Sequence, residues 1–269
     1  MLSRLLPASL VLSLAVIPAQ AQVVQKVKSW IEGDWSLTLG AAGYVAPRFE
    51  GASGNLAFYG QPIVSLSKVG KSAPFSSRND NISFAFVDTD QFRFGANGKL
   101  LFARKDNDRD LRGLGTVPWG GELGVFADYY ATNWLRLRAE VRHGLAAHWG
   151  VVGDLSADAF YDITPALRIS GGPRMSLGTS GYFKPYFGVN AFQSANSGLA
   201  VYKASGGVKS VGFGGALTWK TTDKVTTSLF AEYTRLTGPA ASSSLVKQRG
   251  SENQYMIGVS ATYRFDFRI

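Results

Sequence analysis

The sequence contains no cysteine and only 2 histidines among its 269 residues. Without cysteine the chain has neither disulfides nor thiolate chemistry. His143 and His148 lie close together in a glycine-containing stretch, but the further ligands that would close a metal shell are missing. No G-x-S-x-G elbow is present to supply a nucleophile for a histidine base. We therefore expect no catalytic residues, no metal site and no cofactor.

One acidic stretch partly matches the pattern of a calcium-binding loop. Asp106, Asp108 and Asp110 alternate as calcium ligands do. The stretch lacks the central glycine and the closing glutamate of an EF-hand loop. We therefore interpret it as a solvated loop tip.

Charged residues and long apolar runs are both scarce. Charged residues make up 17% of the chain, where soluble domains average about 25%. After residue 21 no uncharged apolar stretch reaches the roughly 18 residues that a transmembrane helix needs. Aromatic residues reach 13%, and the net charge of +9 suits anionic lipid headgroups or cell-wall polymers. The composition favours a membrane barrel over a soluble secreted protein.

The first 21 residues have the pattern of a cleavable secretory signal. Arg4 precedes an apolar run over residues 5–17, and Ala19-Gln20-Ala21 forms an A-x-A cleavage motif. The apolar run is too short for an uncleaved membrane anchor. We therefore predict a signal peptide over residues 1–21 and a barrel over residues 22–269.

The main structural signal is alternation with period two, which places successive side chains on opposite faces of a strand. In the segment from 135, leucine, alanine and valine alternate with Arg136, Arg138, Glu140 and Arg142. The C-terminal segment alternates in the same way. Its apolar face carries Ile257, Val259, Ala261, Tyr263, Phe265, Phe267 and Ile269.

We therefore predict an all-β fold, namely a transmembrane antiparallel up-and-down β-barrel of about twelve strands, with ten to fourteen allowed. Short polar turns alternate with long loops, as in bacterial barrels. Successive short turns should be separated by an even number of strands. The number is odd between the turns at Thr164 and Asp223, and again before the tight link at 88–91. Two regions are therefore expected to be misread by one strand each. The predicted strands are 35–45, 56–66, 82–87, 92–102, 122–130, 135–142, 154–161, 167–175, 186–192, 211–219, 225–233 and 257–269.

The same alternation predicts which side chains face the lumen and which aromatics form interfacial girdles. Charges of both signs favour a salt-bridged lumen, while the excess of basic residues leaves open an anion-favouring pore. The lumen-facing candidates are Arg93, Lys99, Glu122, Asp128, Arg136, Arg138, Glu140, Arg142, Arg168, Arg174, Glu232 and Arg264. The girdle candidates are Trp35, Tyr130, Trp134, Tyr161, Trp219, Tyr233, Phe265 and Phe267.

Several short motifs occur in an order that spans most of the chain. They are Y-V-A-P-R-F-E-G at 44–51, L-R-G-L-G at 111–115, V-R-H-G at 141–144 with H-W-G at 148–150, G-P-R at 172–174, and Y-T-R-L at 233–236. In this ordered set the chain resembles the MltA-interacting protein (MipA)/OmpV family of outer-membrane proteins. It departs from the family at 238–246, where the usual acidic residues are absent. Tyr263, Phe265 and Phe267 match the family's terminal aromatic signal for the barrel-assembly machinery, although residues follow Phe267.

The resemblance implies a non-catalytic scaffold in the bacterial outer membrane. Its expected partners are outer-membrane lipid, the barrel-assembly machinery, a lytic transglycosylase and a penicillin-binding peptidoglycan synthase, with no nucleic acid. Other family members resemble porin-like channels or adhesins. A small channel for solutes and a surface adhesin therefore stay open as alternatives.

Overall fold

Eleven described strands close into a barrel in which β1 pairs with β11. The structure, a computed structural model, describes residues 32–54, 56–68, 75–77 and 80–268. The predicted signal peptide and Ile269 lie outside the described residues. The strands are β1 (Asp34–Pro47), β2 (Leu56–Lys68), β3 (Ile82–Asp88), β4 (Phe92–Leu101), β5 (Gly120–Thr132), β6 (Leu135–Leu145), β7 (Val151–Asp162), β8 (Leu167–Gly178), β9 (Gly207–Lys220), β10 (Val225–Leu236) and β11 (Asn253–Arg268).

The predicted all-β barrel is confirmed, with one difference in strand direction. Neighbouring strands pair antiparallel except β2 and β3, which run parallel through Ser65 opposite Ser83 and Leu66 opposite Phe84. A closed sheet with an odd number of strands requires such a parallel pair. The odd count before the link at 88–91 is therefore real, because the chain enters β3 in the same direction as β2.

The other counting conflict comes from a strand that does not exist. Residues 186–192, predicted as a strand, belong to helix α1 (Ser180–Phe187), helix α2 (Ala191–Ser197) and the bend between them. Asn190 caps α2 in a capping box with Gln193. Phe183 and Phe187, four positions apart, bury one face of α1. The aromatic run therefore follows helical spacing, which the prediction mistook for a strand.

Within the described ranges, four helices and a 3-10 helix cover the end of the barrel that carries the long loops. Besides α1 and α2 they are α3 (Gly238–Ala241), α4 (Ser244–Arg249) and the 3-10 helix Arg109–Leu111. We call this layer the cap, formed by residues 48–54, 104–119, 179–206 and 237–252. It contains two apolar clusters, one around Phe183 and Phe187 and the other around Leu111 and Leu245. None of the described helices has the length and apolarity needed to cross a membrane.

The outer face of the barrel is apolar and its short-turn end is rich in aromatic residues. Leu123, Val141, Phe213, Ile257 and Val259 are all more than half exposed. Such a band is the surface that a barrel presents to lipid. Exposed girdle candidates are Trp134, Tyr161, Trp219, Tyr233, Phe265 and Phe267, whereas Trp35 and Tyr130 are buried.

Introducing arginine on the outer face should cost more than introducing it inside. Val259→Arg is expected to lower the free energy of unfolding by about 2–4 kcal/mol, because the charge enters the apolar band. Thr38→Arg, which projects into the lumen cavity, is the matched control and should cost less. Urea unfolding of the refolded variants in lipid measures both. Equal losses would contradict the assigned faces.

Candidate functional site

The described residues between β2 and β3 lie inside the barrel. Phe75 is buried there, and its ring stacks on Phe160 with centroids 4.7 Å apart. The hydroxyl of Tyr130 donates to the carbonyl oxygen of Phe75 at 2.6 Å. Farther along, Asp80 accepts two hydrogen bonds from Arg136, at 2.6 and 2.8 Å. These described residues, 75–77, 80 and 81, which we call the entering segment, lie against the inner wall of the lumen from β5 to β8.

Arginines on the inner face of β6 bind carboxylates from three sides. Arg136 is fully buried, and it bonds Asp80 on the entering segment and Asp158 on β7 at 2.6 Å each. Arg138 bonds Asp128 on β5 at 3.0 Å and Glu140 at 2.6 Å. A buried ion costs several kcal/mol unless it is paired and hydrogen-bonded. The carboxylates therefore neutralise these arginines and hold the entering segment in the lumen.

Arg142 extends the same cluster toward the cap. It bonds Glu122 at 2.8 Å and also contacts Glu140 and Asp154. His148 Nε2 lies 3.0 Å from the other oxygen of Glu122. We call the arginines at 136, 138 and 142 with their carboxylates the ionic cluster. It spans the wall from β5 to β7.

Other predicted lumen residues pair outside the centre of the cluster. Arg93 lies 3.1 Å from Asp88 and 3.7 Å from Asp128. Arg174 on β8 bonds the second oxygen of Asp158. Near the short-turn end the pairs become partly exposed. There Arg168 binds Asp162 at 2.6 Å, and Arg264 lies 3.3 Å from Asp266.

A cavity of about 650 Å³ occupies the lumen beside the ionic cluster. It reaches from Glu50 under the cap to Lys224 and Arg264 at the short-turn end. Lys99 and Glu232 line it between these limits. The lumen is therefore divided into a wall packed with ion pairs and a passage that remains open below the cap.

The cap end of the cavity is fixed by a polar triad. Lys209 Nζ lies 2.6 Å from Glu50, which also accepts a hydrogen bond from the Tyr182 hydroxyl. Burial raises the pKa of Glu50, but the Lys209 charge and the Tyr182 hydrogen bond outweigh it and hold that pKa below its ordinary value. Burial and the Glu50 carboxylate raise the pKa of Tyr182. The triad is therefore charged at Glu50 and neutral at Tyr182 near pH 7.

A buried arginine also joins two loops of the cap. Arg104 donates to the carbonyl oxygen of Tyr186 at 2.6 Å. Burial lowers the pKa of Arg104 to about 10, so the side chain stays charged near neutral pH. Arg249 likewise donates to the carbonyl oxygens of Asp110 and Ser197. These bonds hold separate loops in one cap.

The comparison with models of protein families identifies the family to which the chain belongs. The model of the family described as MltA-interacting protein MipA matches residues 39–265. The chain belongs to the MipA family. The family and the closed barrel make it an outer-membrane β-barrel protein. A search of the curated proteins found no match.

Solved outer-membrane structures resemble this MipA family chain at low sequence identity. A bacterial polysaccharide outer membrane secretin is 12% identical, covers 85% of this chain and 98% of its own, and has a TM-score of 0.43. The NanC porin is 11% identical with coverages of 84% and 98% and a TM-score of 0.42. The COG4313 outer membrane channel from Pseudomonas putida F1 is 11% identical with coverages of 87% and 96% and a TM-score of 0.41.

The two histidines of this MipA family chain do not converge on one site. His143 is exposed beside Trp149, whereas His148 is buried between Glu122 and the amide of Gly150. A Cβ at Gly144 would lie 2.2 Å from the His148 ring, so the glycine permits this close approach. Among the residues that the structure describes, no three His, Asp or Glu side chains form a metal-binding group.

The alternating acids of the 105–119 loop also serve local structure. Asp108 accepts from the amide of Asp110 at the start of the 3-10 helix and lies 3.0 Å from Arg48. Asp106 accepts from the Thr116 hydroxyl at 3.1 Å. These contacts hold the loop against the cap.

Sequence reasoning missed several members of the site, among them Asp80, Asp154, Asp158, Glu50 and Lys209. Asp158 had a usable signal, because it alternates with Asp154 and Phe160 on the inner face of a predicted strand. Asp80, Glu50 and Lys209 reach the lumen from loops or from a strand end. Strand periodicity carries no information there.

Proposed function

We propose that this chain is a non-enzymatic scaffold that holds a lytic transglycosylase at the inner face of the outer membrane and brings a peptidoglycan synthase to it. The observation that carries the proposal is membership of the family described as MltA-interacting protein. The cap supports it, because a folded layer over one end suits a fixed platform better than an open pore. The paired ionic cluster likewise stabilises the wall instead of offering free charges.

The short-turn end is the surface proposed to bind the partner. In bacterial barrels the short turns face the periplasm, where cell-wall enzymes act. Exposed ion pairs crowd this end, including Arg168 with Asp162 and Arg264 with Asp266. Lys220 precedes its 221–224 turn, Lys224 is the last residue of that turn, and both are exposed. A charged face of this kind suits a partner held by complementary charge.

Charge reversal at the short-turn end tests the scaffold. The double variant Lys220→Glu with Lys224→Glu is expected to weaken capture of a purified lytic transglycosylase by about ten-fold, because it inverts the charge of the proposed surface. The matched control, Lys184→Glu with Lys203→Glu, changes the same charge on the cap. Surface plasmon resonance on the folded barrels gives the affinities. Equal binding by both double variants, or no capture by the unaltered barrel, would sink the proposal.

A second candidate, a small channel, is favoured by one observation. The cavity runs from the cap to the short-turn end without interruption. Among the described residues, those of the cap separate it from the outer side. A scaffold has no need of conductance, so ion flow through the unaltered barrel in a planar bilayer distinguishes the two candidates.

A further inference from the structure

The parallel entry of β3 leaves a break in the hydrogen-bonded wall. On the side away from β1, β2 pairs with β3 only at Ser65 and Leu66. β3 in turn begins at Ile82, opposite Gly98 of β4. Within the described residues, 56–64 of β2 and 99–101 of β4 therefore have no strand partner on these facing edges. We call this break the seam.

The seam conflicts with the rule for membrane-spanning structure. In hydrocarbon each unsatisfied backbone polar group costs several kcal/mol, so lipid-facing sheet edges do not occur. An edge is tolerated where it lines a water-filled cavity. The seam therefore requires water or a polar ligand group between its strands.

The lumen cavity extends into the seam. Along a strand, alternate side chains point to opposite faces, so Ile63 and Lys99 point inward while Val64 and Leu100 point outward. All four line the same cavity. A cavity lined by both faces of two neighbouring strands passes between them. Tyr59 and Phe102, with ring centroids 5.9 Å apart, close it toward the cap.

The two sides of the seam differ in chemistry. Its outer rim is apolar, with Leu100 57% and Val64 39% exposed. On the inner side Lys99 is exposed to the cavity and forms no hydrogen bond or ion pair with a described residue. Glu50, Glu122, Asp154 and Glu232 all feel its charge, but none of them contacts it, and Glu50 already binds Lys209 while Glu122 and Asp154 bind Arg142. Lys99 is therefore a cation available to a ligand.

We infer that the seam is a lateral portal that binds a single-chain amphiphile with an anionic headgroup, such as a fatty acid, from the surrounding bilayer. Its acyl chain lies between Val64 and Leu100, and its carboxylate reaches Lys99. The cavity volume of about 650 Å³ lies within the range of about 300–1,000 Å³ typical of small-molecule sites. A neutral headgroup would form no charge-assisted contact with Lys99. The inference is independent of the scaffold, because it concerns the barrel wall.

Photolabelling tests the portal in the intact barrel in phosphatidylcholine nanodiscs. The probe is dodecanoate with a diazirine near its carboxyl end. We expect labels on the inward Ile63 and Leu101 at the seam, and none on Thr226 and Arg264, which line the short-turn end of the cavity and which a probe entering from water would pass. Labels on the outward faces of β10 and β11 provide an internal reference. Dodecanol with the same diazirine should label the outward faces alone.

Lys99→Gln should lower the inward labelling by dodecanoate about ten-fold, as loss of one charge-assisted contact predicts, and leave the outward labelling unchanged. Lys203→Gln, on the cap surface, is the matched control and should behave as the unaltered chain. Heat-modifiable gel mobility checks folding of each variant. Absence of inward labels, equal inward labelling by the alcohol, or labelling unaffected by Lys99→Gln would each overturn the portal.

Discussion

Replacing Arg136 by methionine is expected to lower the free energy of unfolding by about 3–5 kcal/mol, the cost of breaking a buried ion pair from one side. Arg136 is fully buried and bonds Asp80 and Asp158 at 2.6 Å each. Methionine fills part of the same volume but leaves both carboxylates without their shared cation. The loss should also release the entering segment, since Asp80 connects it to the wall.

Urea unfolding of the refolded barrel, followed by tryptophan fluorescence, measures the loss. Arg264→Met is the matched control, because its ion pair is half exposed and such pairs contribute about 0–1 kcal/mol. Adding Asp80→Asn to Arg136→Met should recover part of the stability, because it removes the charge of the carboxylate that loses two hydrogen bonds from Arg136, whereas Asp158 keeps Arg174. A loss below about 1 kcal/mol for Arg136→Met would show that the ionic cluster does not hold the barrel together.

The ionic cluster shows which features strand periodicity predicts and which it does not. Arg136, Arg138 and Arg142 were assigned to the inner face because they alternate with leucine, alanine and valine. Their burial in the barrel agrees with that alternation. Periodicity predicts which face of the sheet a side chain occupies, but it does not predict which residue that side chain contacts. Register between strands and the entering segment determine the partners.

The unpredicted features all arise where the chain leaves a regular antiparallel path. No sequence pattern in residues 56–88 predicts that β3 begins beside Ser65 and runs in the same direction as β2. The seam and the entering segment both follow from that start. The helices α1 and α2 were missed because aromatic residues fit the strand pattern as well as the helical one. Even so, the failed parity of the strand count located both regions from sequence.

The cap and the seam together define the routes into the lumen. The cap closes the outer end with apolar side chains packed as in a soluble core. The short-turn end stays continuous with the cavity, and the seam joins the cavity to the bilayer. A solute crossing from end to end must therefore displace the cap, whereas an amphiphile entering from the membrane need not.

A charge placed inside the cap should open the barrel to ions. Phe183 is fully buried, at 0% exposure, in the apolar cluster over the lumen. Phe183→Asp puts an unpaired carboxylate there, at a cost of several kcal/mol. The cap should unfold locally, because the barrel strands beneath it keep their own pairing. We expect steady single-channel steps from this variant and silence from the unaltered barrel.

Phe192→Asp is the matched control for this experiment. Phe192 stands on the neighbouring helix α2 but is 77% exposed, so the same substitution leaves the cap core intact. It should stay silent in planar bilayers. Conductance through the unaltered barrel would mean that the cap leaks and would favour the channel over the scaffold. If the Phe183→Asp barrel folds but does not conduct, the lumen is blocked by the ionic cluster and the entering segment and not by the cap.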